Sequence, residues 1–218
     1  MTGSPQHHHD HSTVDNQGGA IDWDERYSGS ERLFSGNPNF ALVTEVSGLA
    51  PGRALDVGCG EGADAVWLAG QGWAVTALDV SRVALERAAA HAREAAVEVD
   101  WVHAGLVEAV LPAGGFDLVS AQYPALPSSP DHAAEHALLA AVAPGGLLLA
   151  VYHAGFDGEA AKARGIDPAD YVLTADLLAR LDDGWEVRVD EDRLRDVPAG
   201  GGEHQHTHDV VIRARRLP

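Results

Sequence analysis

The sequence predicts an α/β fold: a doubly wound, mostly parallel sheet of seven strands, with helices on both faces and an antiparallel hairpin at the C-terminal end. Three observations predict it. Apolar strands and amphipathic helices alternate through most of residues 53–153, as in parallel strands joined by crossover helices. A glycine-rich turn follows the first of these strands. Two more apolar runs close the chain, separated by a loop that contains Gly200-Gly201-Gly202.

Each element has its own signal in the sequence. Short β-branched and apolar runs predict strands at residues 53–57, 74–78, 97–102, 116–121, 147–153, 185–189 and 208–214. Helical spacing of apolar residues predicts helices at residues 40–49, 61–69, 82–95, 131–142 and 174–181. Ser81 and Thr174 are predicted N-caps, because a hydroxyl there can accept a bond from a backbone N–H of the first turn. Gly70 and Pro144-Gly145-Gly146 are predicted stops.

The domain organisation is simple. Residues 1–20 are polar and His-rich, with no apolar periodicity, and we predict a disordered tail. Residues 21–218 form one predicted domain, which opens with an aromatic, irregular cap segment at residues 21–52. A chain of 218 residues is long enough to bury a core of this kind.

Composition narrows the class of protein. Fifteen Lys and Arg residues against 33 Asp and Glu residues give a net charge of −18, which repels phosphate backbones and argues against nucleic-acid binding. The single cysteine, Cys59, excludes an intramolecular disulfide and a cysteine-based zinc site. Neither a membrane-spanning run nor a signal peptide is recognisable, so we expect no membrane contact and a cytoplasmic location. The oligomeric state is left open.

The most specific motif is the loop Asp56-Val57-Gly58-Cys59-Gly60-Glu61-Gly62, which leaves a strand and enters a helix. Glycines in such a loop let the backbone approach a ligand closely. Asp79 ends the next strand, 21 residues after Gly58, where a carboxylate can accept both hydroxyls of a ribose. The acidic residues of the loop disfavour a pyrophosphate. They suit a ligand with an ammonium and a sulfonium group, such as S-adenosylmethionine (SAM).

Five stretches carry a resemblance to a known family: residues 23–27 (WDERY), 34–39 (FSGNPN), 54–62 (ALDVGCGEG), 72–81 (GWAVTALDVS) and 208–215 (HDVVIRAR). With them the sequence resembles the class I SAM-dependent methyltransferases, which have a Rossmann-like fold. More narrowly, it resembles the bacterial tellurite-resistance and thiopurine-type enzymes that methylate small molecules. The resemblance covers the chain from Trp23 to its C-terminal end. It implies transfer of a methyl group from SAM to a small-molecule acceptor, leaving S-adenosylhomocysteine.

The resemblance also implies which residues hold SAM. The glycine loop would surround the methionine portion, Asp79 would hold the ribose, and aromatic residues of the cap segment would close over the ligand. At Gly105 the family often has an acidic residue facing the adenine amine, so here that contact would fall to the backbone. The full predicted cofactor set is Trp23, Tyr27, Phe34, Asp56, Gly58, Cys59, Gly60, Gly62, Asp79, Val80, Ser81, His103, Ala104, Gly105, Gln122 and Tyr123.

Catalytic candidates follow the fourth and fifth predicted strands. Tyr123 and His153 would face the cleft, where either could serve as a general base for an acidic acceptor. We assign no metal ligands, although His204, His206 and His208 alternate as residues on one face of a strand do. Two rival functions stay open. One is a non-catalytic SAM- or metal-binding protein that uses the histidine clusters, and the other is a nicotinamide-dependent oxidoreductase.

Overall fold

The computed structural model describes residues 21–29, 35–155, 158–162, 167–194 and 208–218. The predicted tail at residues 1–20 lies outside the described residues, as do Phe34, His204 and His206. None of the helices in the described ranges has the length and apolar character needed to cross a bilayer.

Strands and helices alternate as the sequence predicts. The strands are β1 Arg53–Val57, β2 Ala74–Asp79, β3 Asp100–His103, β4 Phe116–Gln122, β5 Val142–His153, β6 Trp185–Leu194 and β7 His208–Arg216. The helices are α1 Trp23–Ser28, α2 Phe40–Val46, α3 Ala63–Gly70, α4 Arg82–Glu94, α5 Ala133–Ala141, α6 Gly158–Lys162 and α7 Thr174–Leu178.

The described strands form one seven-stranded sheet in the order β3-β2-β1-β4-β5-β7-β6. The first five strands of this chain are parallel, whereas β7 runs antiparallel to both β5 and β6. The predicted parallel sheet and C-terminal hairpin are therefore confirmed. The strand order reverses between β1 and β4, and at such a switch point the loops at the carboxyl ends diverge and leave room for a ligand.

Apolar layers cover both faces of the sheet. Neighbouring residues on a strand point to opposite faces, so Leu118 and Val119 of β4 enter different clusters. One cluster joins Val119 to Leu138 of α5, and the other joins Leu118 to Leu42 of α2 and Leu68 of α3. Helices on both faces, as predicted, follow from this two-sided burial.

Several element boundaries differ from the predicted ones. β3 begins at Asp100, three residues later than predicted, because the chain turns before it joins the sheet edge. α7 ends at Leu178, and its N-cap is Leu173, so the prediction that Thr174 caps it is wrong. The carboxylate of Asp176 instead accepts the backbone N–H of Leu173 at 2.9 Å. The predicted N-cap of α4 is confirmed, because Ser81 Oγ accepts the backbone N–H of Ala84 at 3.1 Å.

Helix α1 of the cap segment is attached to the start of α4. Ser81 Oγ donates to Asp24 Oδ1 at 2.6 Å, and Arg87 Nη2 donates to the backbone oxygen of Tyr27 at 3.0 Å. The Tyr27 side chain is buried. The hydroxyl of Ser81 therefore serves two elements, since it caps α4 and anchors α1.

Gly62→Ala is expected to destabilise the fold. A Cβ at this position would lie 2.7 Å from Ala88 Cβ and 2.9 Å from Trp101 Cη2, on a backbone with φ of +80°. Left-handed strain should cost about 1–2 kcal/mol, and the overlap about 1–3 kcal/mol more. Urea unfolding measures the sum. Gly48→Ala is the matched control, since Gly48 has φ of +88° but nothing within 4 Å. If both variants lost the same free energy of unfolding, the predicted steric overlap at Gly62 would be contradicted.

Candidate active site

A cavity of about 1330 Å³ opens at the carboxyl ends of the central strands. The glycine loop after β1 forms one wall, and the residues after β4 form another. Most of the predicted cofactor residues line it, namely Trp23, Tyr27, Asp56, Gly58, Cys59, Gly60, Asp79, Val80, His103, Ala104, Gly105, Gln122 and Tyr123. The predicted catalytic residue His153 also lines it.

Of the predicted cofactor residues that the structure describes, two are not in the cavity wall. Gly62 is the N-cap of α3, and its missing side chain lets α3 approach Ala88 of α4 and Trp101 of β3. The Ser81 side chain is fully buried and is used by Asp24 and the start of α4. Both residues lie behind the cavity wall and support the elements that form it, and ligand contact by either stays a prediction.

Hydrogen bonds to β2 hold the glycine loop in place. The backbone N–H groups of Gly58 and Cys59 donate to the Leu78 oxygen at 2.9 and 3.0 Å. The loop then turns through left-handed backbone at Gly58 (φ +69°) and Gly60 (φ +52°), which glycine adopts without strain. This path exposes the loop backbone on the cavity side.

Asp79 connects the two loops that follow β1 and β2. Its Oδ2 accepts the backbone N–H of Gly60 and its Oδ1 that of Ser81, each at 2.8 Å. Burial raises the pKa of Asp79 in spite of these bonds. A carboxylate oxygen has two lone pairs, so each oxygen retains the capacity for a second donor.

Two more buried carboxylates lie beneath the glycine loop. Asp56 is 2% exposed, and its Oδ2 has no hydrogen-bond partner. Burial raises the pKa of Asp56 well above its usual range, and the charges of Asp64 and Asp79 add to the effect. Asp64 accepts the backbone N–H and the side-chain amide of Asn39, both at 2.7 Å, yet burial still raises its pKa.

Glu108 is a site residue that the sequence reasoning missed. A Cβ on Gly105 would overlap the carboxylate of Glu108, and the same Cβ would lie 3.6 Å from Val80 Cγ1. Glu108 therefore occupies the space that a side chain at position 105 would fill, and it lines the cavity beside Val80. The signal in the sequence was a glycine followed three residues later by an acid within one turn.

A second group of side chains lies at the ends of β4, β5 and β7. The rings of Tyr123 and His153 stack, with centroids 4.4 Å apart and planes inclined by 20°. The hydroxyl of Tyr123 donates to Asp209 Oδ2 at 2.7 Å, and His153 Nδ1 lies 3.8 Å from Asp209 Oδ1. Sequence reasoning missed Asp209, although the pairing of β5 with β7 places it directly opposite His153.

The charged and polar side chains of the cavity suit a positively charged ligand. Among the described residues that line the cavity, none is a lysine or an arginine, and Asp56, Asp64, Asp79 and Glu108 all contribute carboxylates. The unpartnered Asp56 Oδ2 and Gln122 Oε1 are buried acceptors that require a donor. The ammonium and sulfonium of SAM, with its ribose hydroxyls and amine, fit these acceptors. A pyrophosphate does not.

Relatives agree with this interpretation. The family described as "Methyltransferase domain" matches residues 54–146. A ubiquinone biosynthesis O-methyltransferase of Aromatoleum aromaticum is 41% identical over 100 residues, which are 45% of this chain and 43% of that protein. An uncharacterized methyltransferase of Mycobacterium tuberculosis is 40% identical over 79 residues, or 36% of this chain and 39% of that protein. The matches thus span about two fifths of these curated relatives.

Solved structures share the architecture over most of the chain. One, from work on the conversion of a disulfide bond into a thioacetal group during echinomycin biosynthesis, has a TM-score of 0.70 and 26% identity over 89% of this chain and 90% of its own. The N-methyltransferase NodS of Bradyrhizobium japonicum, in complex with S-adenosylhomocysteine, has a TM-score of 0.59 and 18% identity over 89% of this chain and 86% of its own. At that identity the likeness shows the fold alone.

The fold and the acidic glycine-loop site resemble those of the class I SAM-dependent methyltransferases. Residues 54–146 match a methyltransferase domain family, and the curated relatives over this region are methyltransferases. This similarity goes against the nicotinamide-dependent oxidoreductase. The narrower resemblance to tellurite-resistance and thiopurine-type enzymes is not confirmed by these relatives and stays a prediction.

Asp56→Asn is expected to stabilise the ligand-free protein and to weaken SAM binding. A raised pKa means that the folded state binds the proton more tightly than the unfolded state. Asp56 therefore lowers the free energy of unfolding as the pH rises from about 4. At pH 7 urea unfolding should show Asp56→Asn more stable by on the order of 1–3 kcal/mol, and the gap should close near pH 4. The exposed Asp183→Asn is the matched control. If the difference in the free energy of unfolding did not depend on pH, the raised pKa of Asp56 would not be its cause.

Proposed function

We propose that this chain transfers the methyl group of SAM to a small-molecule acceptor by in-line displacement. The observation that carries the proposal is one continuous cavity with two chemically different ends. Buried carboxylates beneath the glycine loop form one end, and the aromatic pair of Tyr123 and His153 lies at the other. Such a cavity can align a donor with an acceptor and exclude water, which is most of what this reaction requires of a protein.

At the cofactor end, two of the buried acids have a direct role in binding SAM. Asp56, with its unpartnered oxygen, receives the ammonium of the methionine portion, and the backbone of Gly58 and Gly60 lies along it. Asp79 receives the ribose hydroxyls through the lone pairs that its backbone bonds leave available. Val80, 51% exposed, offers an apolar surface to the adenine, and Glu108 beside it accepts the adenine amine. Trp23 and Tyr27 cover the ligand from the cap segment.

The acceptor end favours an uncharged or cationic molecule. Its wall includes the apolar residues Pro124, Leu126 and Pro127, while Asp131 and Asp209 add negative charge. The short segment at residues 124–131 supplies much of this end of the wall, and we infer a small acceptor from the shortness of such segments. Relatives named as O-methyltransferases, and a structural relative linked to the chemistry of a disulfide, support a phenol or a thiol as the nucleophile.

When bound, SAM supplies a methyl group already activated by a positively charged sulfur. The contribution of the chain is to fix the acceptor in line with that group and to receive a proton where the acceptor carries one. His153 and Tyr123 are the candidates for the proton, because both line the acceptor end of the cavity. A thiol needs little help from a base, whereas a phenol or an alcohol needs more.

A metal-binding function is a weaker alternative. Within the described residues, no group of three or more His, Cys, Asp or Glu side chains has an arrangement that would hold a metal ion. Of the alternating histidines, only His208 is described, and its backbone oxygen accepts the N–H of Ala154 in the sheet. The alternative that the chain binds SAM without catalysis is decided by the turnover experiments below.

Asp79→Ala is expected to weaken SAM binding by on the order of 2–3 kcal/mol, through the loss of charge-assisted hydrogen bonds. Isothermal titration calorimetry with SAM and with S-adenosylhomocysteine measures the loss, against micromolar binding of both by the unaltered chain. Asp183→Ala, which removes an exposed acid from the turn before β6, serves as the control. Unchanged affinity in Asp79→Ala, with the fold verified by urea unfolding, would contradict the cofactor site.

The charge of the cavity predicts a preference among acceptors. Phenol should be methylated with a kcat/KM about 10–30-fold above that of 4-hydroxybenzoate, and benzenethiol likewise above 4-mercaptobenzoate. A carboxylate on the acceptor would be repelled by the negative charges of Asp131 and Asp209 at this end of the cavity. Mass spectrometry of the products measures the ratios. Asp131→Asn should narrow both ratios and Asp183→Asn should not. Preference for the carboxylates would contradict a neutral or cationic acceptor.

A further inference from the structure

Asp209 is a buried carboxylate in the C-terminal stretch of residues 208–215, and the sequence analysis assigns it no role. It is the second residue of β7, is 4% exposed and lines the acceptor end of the cavity. Each of its oxygens faces a different side chain. Oδ2 accepts the hydroxyl of Tyr123 at 2.7 Å, and Oδ1 lies 3.8 Å from His153 Nδ1. Burying a carboxylate costs free energy unless the group is paired. Its contacts with Tyr123 and His153 therefore suggest a function for Asp209 in the site.

Tyr123 reaches Asp209 through a strained backbone. Its φ is +51°, in the left-handed region where a residue with a side chain is disfavoured by about 1–2 kcal/mol. A backbone bond from Tyr123 N–H to the oxygen of Val151, at 2.8 Å, holds this turn immediately after β4. The turn directs the phenol across the end of β5, where its ring stacks on His153 and its hydroxyl meets Asp209. Strain of this kind is typical of functional positions.

The imidazole of His153 is oriented by the same two neighbours. Its Nδ1 is buried and faces Asp209 Oδ1, while the side chain as a whole is about one third exposed at the cavity. Two ionisable side chains face this ring, Tyr123 from the end of β4 and Asp209 from β7. A carboxylate beside Nδ1 favours the tautomer with the proton on Nδ1, which leaves the lone pair on Nε2.

We propose that Asp209 is a positioning residue, which fixes the tautomer and orientation of His153 so that Nε2 takes the proton that the acceptor loses. The inference rests on the proposed methyl transfer. The acceptor atom forms a bond to the methyl carbon, the bond from that carbon to sulfur breaks, and its electron pair stays on sulfur. The acceptor's proton passes to His153 Nε2. The imidazolium is stabilised beside the Asp209 carboxylate until it releases the proton to water.

This assignment narrows the acceptor to a protic nucleophile. A base poised at the acceptor end is of use to a phenol, a thiol or an ammonium group, each of which must lose a proton during or before transfer. The arrangement has no use for a nucleophile that carries no proton. Tyr123 contributes by stacking on the imidazole and by holding Asp209 through its hydroxyl, and both contacts restrict the motion of the ring.

The test compares Asp209→Asn, Asp209→Glu and the exposed control Asp183→Asn. We expect Asp209→Asn to lower kcat by about 10–100-fold with the better of the probes phenol and benzenethiol, while KM changes little. The acid limb of its kcat–pH profile should move to lower pH, since the neutralised side chain no longer stabilises the imidazolium. Asp209→Glu should recover part of kcat. SAM affinity by calorimetry should be the same in all four proteins.

A readout without turnover comes from NMR. The titration midpoint of the His153 ring signals should lie at lower pH in Asp209→Asn than in the unaltered chain, in the absence of any ligand, and Asp183→Asn should leave it in place. If the titration midpoint of His153 is the same in Asp209→Asn as in the unaltered chain, or if the kcat–pH profile is unchanged, the positioning role of Asp209 is overturned. If Asp209→Asn fails to fold, His153→Gln decides, and an acid limb that survives in it overturns the inference.

The two proposals fail in distinguishable ways. If the chain binds SAM but methylates neither phenol nor benzenethiol, the proposed acceptor chemistry is wrong. The NMR titration still decides in that case whether Asp209 controls the protonation of His153. Conversely, active enzyme with a His153 midpoint insensitive to Asp209 leaves methyl transfer intact and removes the positioning role.

Discussion

The bridge made by Asp79 is the interaction on which the cofactor site depends. One carboxylate at the end of β2 binds a backbone N–H from the glycine loop and another from the turn into α4. These two loops belong to different βα units, and Asp79 fixes their separation. Because α1 is anchored to Ser81 in the same turn, the position of the cap segment follows from it as well. The same side chain therefore organises the floor and the cover of the cavity.

Most of the fold was predictable from local sequence patterns. The alternation of apolar runs with amphipathic helices was enough to predict the strands, and the central runs β1, β4 and β5 are largely buried. The cap of α4 at Ser81 was predictable from residue type alone. The cap of α7 was not, because Asp176 within the helix binds the Leu173 N–H and displaces the role expected of Thr174. β3 was predicted three residues too early, since an edge strand has one neighbour to define its start.

The site was predictable where it is continuous in sequence and not where it is assembled from distant segments. Asp56, Gly58 and Gly60 stand in one motif, and the spacing to Asp79 follows from the length of one βα unit. Asp209 lies 86 residues from Tyr123, so their hydrogen bond depends on how β7 inserts between β5 and β6. Glu108 was hidden because the motif position itself, Gly105, carries no side chain. Ser81 and Gly62 were also predicted to hold the ligand, whereas the structure places both behind the cavity wall, where they support α1, α3 and α4.

The acids beneath the glycine loop have a consequence for the lifetime of the protein. Asp56 and Asp64 repel each other in a buried setting, so the ligand-free chain holds electrostatic energy that a cationic ligand relieves. A ligand that binds only the native state stabilises it in proportion to the logarithm of its concentration. The supply of SAM would then determine how often the chain opens and becomes accessible to proteases. Under the proposed function, the abundance of the protein would therefore rise and fall with the concentration of SAM.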